Sequence, residues 1–257
     1  ILIKYMFEIF ILSLIQGISE FIPVSSSSHL ILISDYIKFE SKGLSIDVSL
    51  HIGSFLAVIF FFQKEILSFI KNKELFIKVF LSSIPVMIMG IILVKTDLIN
   101  NLRTIEIIGW TTLIFGILLY FSDRFRLDKN LKSDFSYKDA ILIGITQVLA
   151  LIPGVSRSGI VITSARFLDF NRVDSAKISF LLSIPTLAAV SIFGLYNHIE
   201  SQDLNFSILN VFSIFFSFIF SLLTIKYFLH FIKNFSLKIF VVYRIILGIL
   251  ILYFVYL

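Results

Sequence analysis

Apolar residues in this chain come in long blocks, without the strict alternation of a half-buried strand. A helix that crosses a bilayer needs about 20 consecutive, mostly apolar residues. Blocks near 79–94, 105–122, 177–195, 207–229 and 239–257 approach or meet that need, and a shorter one near 48–62 does so once its flanks are added. Two further apolar stretches, 5–37 and 139–168, are of another kind. Each carries a proline, several serines and ionisable residues near its middle. Polar, broken backbone at membrane depth is tolerated only where it is buried in protein or lines a wet cavity. Both stretches are therefore expected to be re-entrant hairpins: a helix in, a broken tip and a helix back out.

Charge between the blocks orients them. Segment 63–78 carries Lys64, Lys71, Lys73 and Lys78, and segment 123–138 carries Arg124, Arg126, Lys129, Lys132 and Lys138. Lys and Arg collect on the cytoplasmic side, so both segments are expected there. Loop 196–206 has Glu200 and Asp203 but no Lys or Arg, which places it outside. Passing from one side to the other between 138 and 196 takes an odd number of crossings. Only 177–195 then crosses fully, and 139–168 must return to its own side, where Arg172 and Lys177 lie. Lys95 and Arg103 fall in an external loop and run against the trend.

The expected fold is an all-α polytopic membrane protein, a single transmembrane domain over 1–257. It is built from two halves, about 1–125 and 135–257, each a re-entrant hairpin followed by three transmembrane helices. Three is odd, so the halves are inverted repeats. The sequence repeats weakly: Gln16 lies over Gln147, Pro23 over Pro153 and Glu8 over Asp139. Inverted repeats with broken helices meeting near the midplane build binding sites in many membrane proteins, so the two tips are where function is expected.

Composition agrees. The chain is 58% hydrophobic and 15% charged, against about 25% charged in soluble domains, and its mean hydropathy is +0.98. The net charge of +5 comes without any basic groove module, so nucleic acid is not an expected partner and anionic head groups are. The chain has no cysteine, which excludes disulfides, thiolate metal sites and thiol nucleophiles. Glu8 interrupts the first apolar stretch, which is therefore not read as a signal peptide.

The first tip reads QGISEFIPVSSSSHL from Gln16 to Leu30. Gln16 and Glu20, four residues apart, share a helix face. Pro23 then breaks the helix, and a run of serines leads to His29. A carboxylate at membrane depth costs about 2.5–3.5 kcal/mol even on lenient scales, so Glu20 is a functional candidate. A serine beside a carboxylate and a histidine has the parts of an activated nucleophile. The second tip reads LIPGVSRSG from Leu151 to Gly159. Pro153-Gly154 turns the chain, and Ser156, Arg157 and Ser158 open the returning helix. Helix-start amides, hydroxyls and a planar guanidinium make a phosphate cradle. His51 has no partner motif and is expected to be an ordinary core residue. Glu8 and Asp139, nearer the hairpin mouths, are expected to be solvated.

QGISEFIPVSSSSH and PGVSRSG together resemble the bacterial undecaprenyl-diphosphate phosphatase family, linked to bacitracin resistance, whose signatures are (E/Q)xxxE running into PVSSxxH, and PGxSRSxxT. DVSLHIGSFLAV (Asp47 to Val58) and FLLSIPTLAA (Phe180 to Ala189) extend the resemblance over most of the chain. It implies hydrolysis of a polyprenyl diphosphate to the monophosphate plus inorganic phosphate at the outer face of the bacterial inner (cytoplasmic) membrane. That reaction recycles the lipid carrier for peptidoglycan synthesis. A divalent cation, Mg or Ca, is implied with it, and a homodimer is left open. Carried over by position, Glu20 matches the second carboxylate of the first motif, with Gln16 in place of the first. Ser26 matches the nucleophile, His29 the motif histidine and Arg157 the essential arginine. Gln16, Ser25, Ser27, Gly154, Ser156 and Ser158 make up the expected substrate-binding set, and Glu20 is the one metal ligand implied. The sequence departs at Val161, where the family usually has Thr with Thr163 two positions on, and at Ser28, often Gly.

The chemistry this suggests is attack by Ser26 on the terminal phosphorus, with Glu20 or His29 taking its proton and Arg157 neutralising the diphosphate. Direct attack by an activated water stays open. So does a transporter or flippase of an anionic lipid using the same midplane site, since fold alone decides nothing.

Overall fold

The computed structural model describes residues 2–37, 43–68, 73–96, 98–124, 128–200 and 208–257, and these are helical throughout apart from turns and one isolated bridge between Lys129 and Phe170. The first half contains α1 (Leu2–Ser19), α2 (Ser26–Ile37), α3 (Leu44–Phe61), the short α4 (Gln63–Ser68), α5 (Lys73–Lys95), the single turn α6 (Leu98–Asn101) and α7 (Ile105–Ser122). The second contains α8 (Leu131–Asp134), α9 (Tyr137–Gln147), α10 (Arg157–Phe167), α11 (Arg172–Glu200), α12 (Ile208–Asn234) and α13 (Lys238–Tyr256). Five of these, α5, α7, α11, α12 and α13, are long and apolar enough to cross a membrane, and α3 is a shorter apolar helix.

Both hairpins break where proline requires it. A proline ring clashes with the carbonyl four residues back. Pro23 therefore ends α1 at Ser19. Pro153 acts on Leu149, and the chain tightens into a 3-10 turn over Val148–Leu151 before leaving the helix. Pro85 and Pro185 lie inside α5 and α11 without ending them, because backbone in lipid has no water to turn to.

α12 packs on α1 and α3, α5 packs on α9 and α11, α3 meets α11, and α7 pairs with α13. Glycine allows the closest crossings. A Cβ on Gly17 would sit 2.5 Å from the Phe220 Cβ, and one on Gly53 would sit 2.5 Å from the Ile214 carbonyl. The core under the first tip is aromatic: Phe21 meets Phe180 edge-on at 5.5 Å, and Phe180 also contacts Phe62 and Phe228. Large apolar side chains such as Phe80, Ile88, Ile246 and Phe254 face outward, as a lipid-exposed wall requires.

One end of the bundle gathers the basic segments. Lys78 lies within α5, not in a loop, and is buried with its ammonium on Glu74 and on the Phe135 carbonyl. That bond joins the 63–78 and 123–138 segments at the same end. Nearby, Arg172 grips Asp123 at 2.6 and 3.1 Å, and Asp123 also accepts from the Leu237 amide. The expectation of solvated Glu8 and Asp139 is corrected, since both are buried. The Asp139 carboxylate takes Lys129 at 2.8 Å and closes a capping box with Ser136 at the start of α9. Lys71, Arg126 and Asp203, and the Glu200 side chain, lie outside the described residues.

Candidate active site

The two tips meet, and each ends on a strained serine. Ser25 has φ 77° and immediately precedes α2, while Ser156 has φ 73° and immediately precedes α10. Such conformations cost on the order of 1–3 kcal/mol and persist only where the surroundings enforce them. Here each serine is held by its hydroxyl. Ser25 Oγ accepts from the Gly154 amide at 3.2 Å and contacts Ser28 Oγ at 3.0 Å and Ser27 Oγ at 3.3 Å. Ser156 Oγ caps α10 by accepting from the Gly159 amide at 3.1 Å, and contacts Ser158 Oγ at 3.2 Å. Ser158 in turn donates to the Ile22 carbonyl at 2.8 Å, a second bond across the tips. Gly154 is required at its place: at φ 93° a side chain is strained, and a Cβ would fall 1.9 Å from Thr111 Oγ1. The starts of α2 and α10, where the first amides have no partner within their own helix, thus sit at one junction.

Three of the expected residues form a line at that junction. Ser26 Oγ donates to Glu20 Oε2 at 2.6 Å. Arg157 Nη2 donates to Glu20 Oε1 at 2.8 Å, and its Nη1 donates to the Ser179 carbonyl at 2.9 Å. Two of the five guanidinium donors are thereby committed, and a guanidinium is built to share its others with phosphate oxygens. Gln16 Nε2 donates to Glu20 Oε2 at 3.2 Å and also meets His51 Nδ1 at 3.1 Å. Its Oε1 is buried without a hydrogen-bond partner. The sequence assigns His51 to the core; its contact with Gln16 depends on α3 lying beside α1, which no local pattern announces.

His29 is placed differently. Its Nδ1 lies 2.6 Å from the Ser25 carbonyl and its Nε2 lies 2.5 Å from the Tyr243 hydroxyl, so neither nitrogen points at Ser26. Sequence reasoning missed Tyr243 and its neighbour Arg244. Arg244 is fully buried. It donates to Pro23 of the first tip at 3.3 Å, to Gly154 and Val155 of the second at 2.8 and 3.1 Å, and to Thr112 of α7 at 3.3 Å. All four acceptors are backbone carbonyls. A signal existed: an arginine in the middle of an apolar span is too costly to be idle. Val161 and Thr163, where the sequence departs from the family pattern, are both buried in α10.

Chemically, the junction offers a hydroxyl already hydrogen-bonded to a carboxylate, and an anion receptor made of two helix starts and a guanidinium. It suits transfer of a phosphoryl group. Residues 9–250 match the family model described as bacitracin resistance protein BacA. The chain is 49% identical to the undecaprenyl-diphosphatase of Pelagibacter ubique, over 97% of each chain. It is 37% identical to that of a Jannaschia species, over 98% of this chain and 99% of the relative. With the undecaprenyl-diphosphatase of Alteromonas mediterranea it shares 38% over the same proportions.

Proposed function

The chain belongs to the bacitracin resistance protein BacA family, and from that membership we propose that it is an undecaprenyl-diphosphatase, a hydrolase of the bacterial inner membrane. The observation that carries the chemistry is the line Ser26–Glu20–Arg157, with contacts of 2.6 and 2.8 Å, at the meeting of two helix starts.

Ser26 attacks the terminal phosphorus of the lipid diphosphate and passes its proton to Glu20 Oε2. The bond from that phosphorus to the bridging oxygen breaks, and the polyprenyl monophosphate leaves. Water then cleaves the phosphoserine, releasing inorganic phosphate and returning the proton to Ser26. Arg157 and the amides opening α2 and α10 carry the charge that builds on the phosphoryl oxygens, and such stabilisation supplies most of the rate enhancement in phosphoryl transfer. Glu20 is the base because it already accepts the Ser26 hydrogen, whereas both His29 nitrogens are engaged elsewhere.

A divalent cation suits a site of this kind only if it arrives with the diphosphate. Among the described residues no cluster of three or more acidic or histidine groups is placed to hold one. Magnesium sites need not have one, since one or two carboxylates and substrate phosphates suffice. Glu20 and the partnerless Gln16 Oε1 would hold it. Bound there, it would neutralise diphosphate charge.

The two halves are read as inverted repeats. Exchanging α1, α2, α3, α5 and α7 for α9, α10, α11, α12 and α13 turns the α1–α12 and α3–α12 contacts into α9–α5 and α11–α5, and leaves α3–α11 and α7–α13 unchanged. The positive-φ serines before α2 and α10 correspond under the same exchange. Three crossings per half then invert the second.

Phosphate release from a polyprenyl diphosphate by purified protein in detergent tests the activity without any membrane to cross. The wild type releases phosphate, and Ser26→Ala loses it by roughly a thousandfold or more, in line with losses of catalytic nucleophiles. Full activity in Ser26→Ala removes the covalent route and leaves attack by water. No release by the wild type sinks the phosphatase reading and returns the site to transport.

A further inference from the structure

The surroundings of His29 fix its hydrogens. A carbonyl oxygen only accepts, so the 2.6 Å contact with Ser25 puts a hydrogen on Nδ1. In the neutral ring Nε2 then holds the lone pair, and the Tyr243 hydroxyl, 2.5 Å away, is the donor. The two rings lie nearly parallel, 13° apart with centroids at 5.7 Å. The carbonyl that His29 holds belongs to Ser25, whose φ of 77° sets the entry of the chain into α2 and hence the aim of Ser26. One residue further along α13, Arg244 holds the Pro23 carbonyl. Neighbouring positions of α13 thus grip the first tip on both sides of Val24, Arg244 directly and Tyr243 through His29.

We propose that Tyr243 is a positioning residue for the hydrolysis: by donating to His29 Nε2 it locks the ring in place with its Nδ1–H on the Ser25 carbonyl, which braces Ser25 and aims Ser26 at the phosphorus. The Tyr243 hydroxyl is bonded to His29 and not to Ser26 or Glu20, so it acts through the histidine. The kinetic part of the proposal rests on the phosphatase reading, whereas the hydrogen assignment does not. A misaimed nucleophile lowers turnover more than binding, because a shift of about 1 Å in a reacting group costs as much as 100-fold.

The test is nitrogen-15 NMR of histidine-labelled protein, with the His29 signals assigned by their loss in His29→Gln, alongside phosphate-release kinetics of wild type and Tyr243→Phe. In the wild type, His29 is expected to be neutral with its hydrogen on Nδ1. In Tyr243→Phe the Ser25 carbonyl still holds the hydrogen on Nδ1, but Nε2 loses its donor, so its nitrogen-15 signal shifts toward that of a free lone pair, and kcat falls roughly 10-fold with KM within about twofold. A wild-type His29 protonated on Nε2 overturns the proposal without any variant. So does a Tyr243→Phe protein with unchanged kcat. A fall in kcat with an unchanged His29 spectrum also overturns it, and assigns Tyr243 to direct contact with substrate. If the wild type releases no phosphate, the function reading fails and the lock is absent as a device of hydrolysis, while the spectrum still decides the hydrogen position.

Discussion

Ser26 occupies the first position of α2, and its hydroxyl is already bonded to the carboxylate that would deprotonate it. The same carboxylate is paired with Arg157, whose remaining donors are left for phosphate oxygens. Arg157→Lys tests whether the fork matters or only the charge. An ammonium on a flexible stem cannot bridge the Ser179 carbonyl, Glu20 and phosphate oxygens together. We expect phosphate release to fall roughly 100-fold or more, the loss typical of one transition-state donor; near-normal kcat/KM in this variant removes the phosphate role of Arg157. Glu20 and Arg157 stood out in the sequence because charge at membrane depth is expensive. Tyr243 did not, because a tyrosine in an apolar helix is ordinary until its partner is known.

At the scale of the element, a few polar residues decide where helices start and stop. Pro23 and Pro153 set the breaks, and Ser25 and Ser156 turn the chain into the returning helices. α9 begins with a reciprocal cap: Ser136 Oγ accepts from the Asp139 amide at 3.1 Å, and the Asp139 carboxylate accepts from the Ser136 amide at 3.0 Å. Losing such a cap costs about 0.5–2 kcal/mol. Ser136→Ala is therefore expected to lower the melting temperature of the purified protein while leaving KM unchanged, because the cap stands at the far end of α9 from the tip. A change in KM with no change in melting sinks the view of this cap as structural. The helix blocks and hairpin breaks were legible in the sequence, since apolar runs and prolines act locally. The burial of Lys78 and Asp139 was not, since their partners, Phe135 and Lys129, come from another segment.

For the whole molecule, the question is which end faces the cytoplasm. The end that joins Lys78 to Phe135 and Arg172 to Asp123 collects the basic segments, and positive charge resists translocation. The chain has no cysteine, so a single introduced one reports its side cleanly. In spheroplasts a membrane-impermeant maleimide is expected to label Arg103→Cys directly, and Ser133→Cys only after permeabilisation. The reverse pattern inverts the topology, and equal labelling of both from outside rules out a fixed orientation. Arg244 belongs to this scale as well. It ties both tips and α7 to α13 through four carbonyls, and the three in the broken tips would otherwise be left bare at about 1–3 kcal/mol each.

The order of residues alone determined the membrane class, the count of long apolar helices, the two breaks and the carboxylate, serine and arginine at them. Those features follow from hydropathy, proline sterics and the cost of charge in lipid, all of which act over a few residues. Only the folded arrangement decided that Ser26 leans on Glu20 while His29 leans on Tyr243, and that Arg244 binds one tip to the other. Those bonds join positions far apart in the chain, and a hydrogen bond depends on tenths of an ångström that no spacing along a sequence encodes.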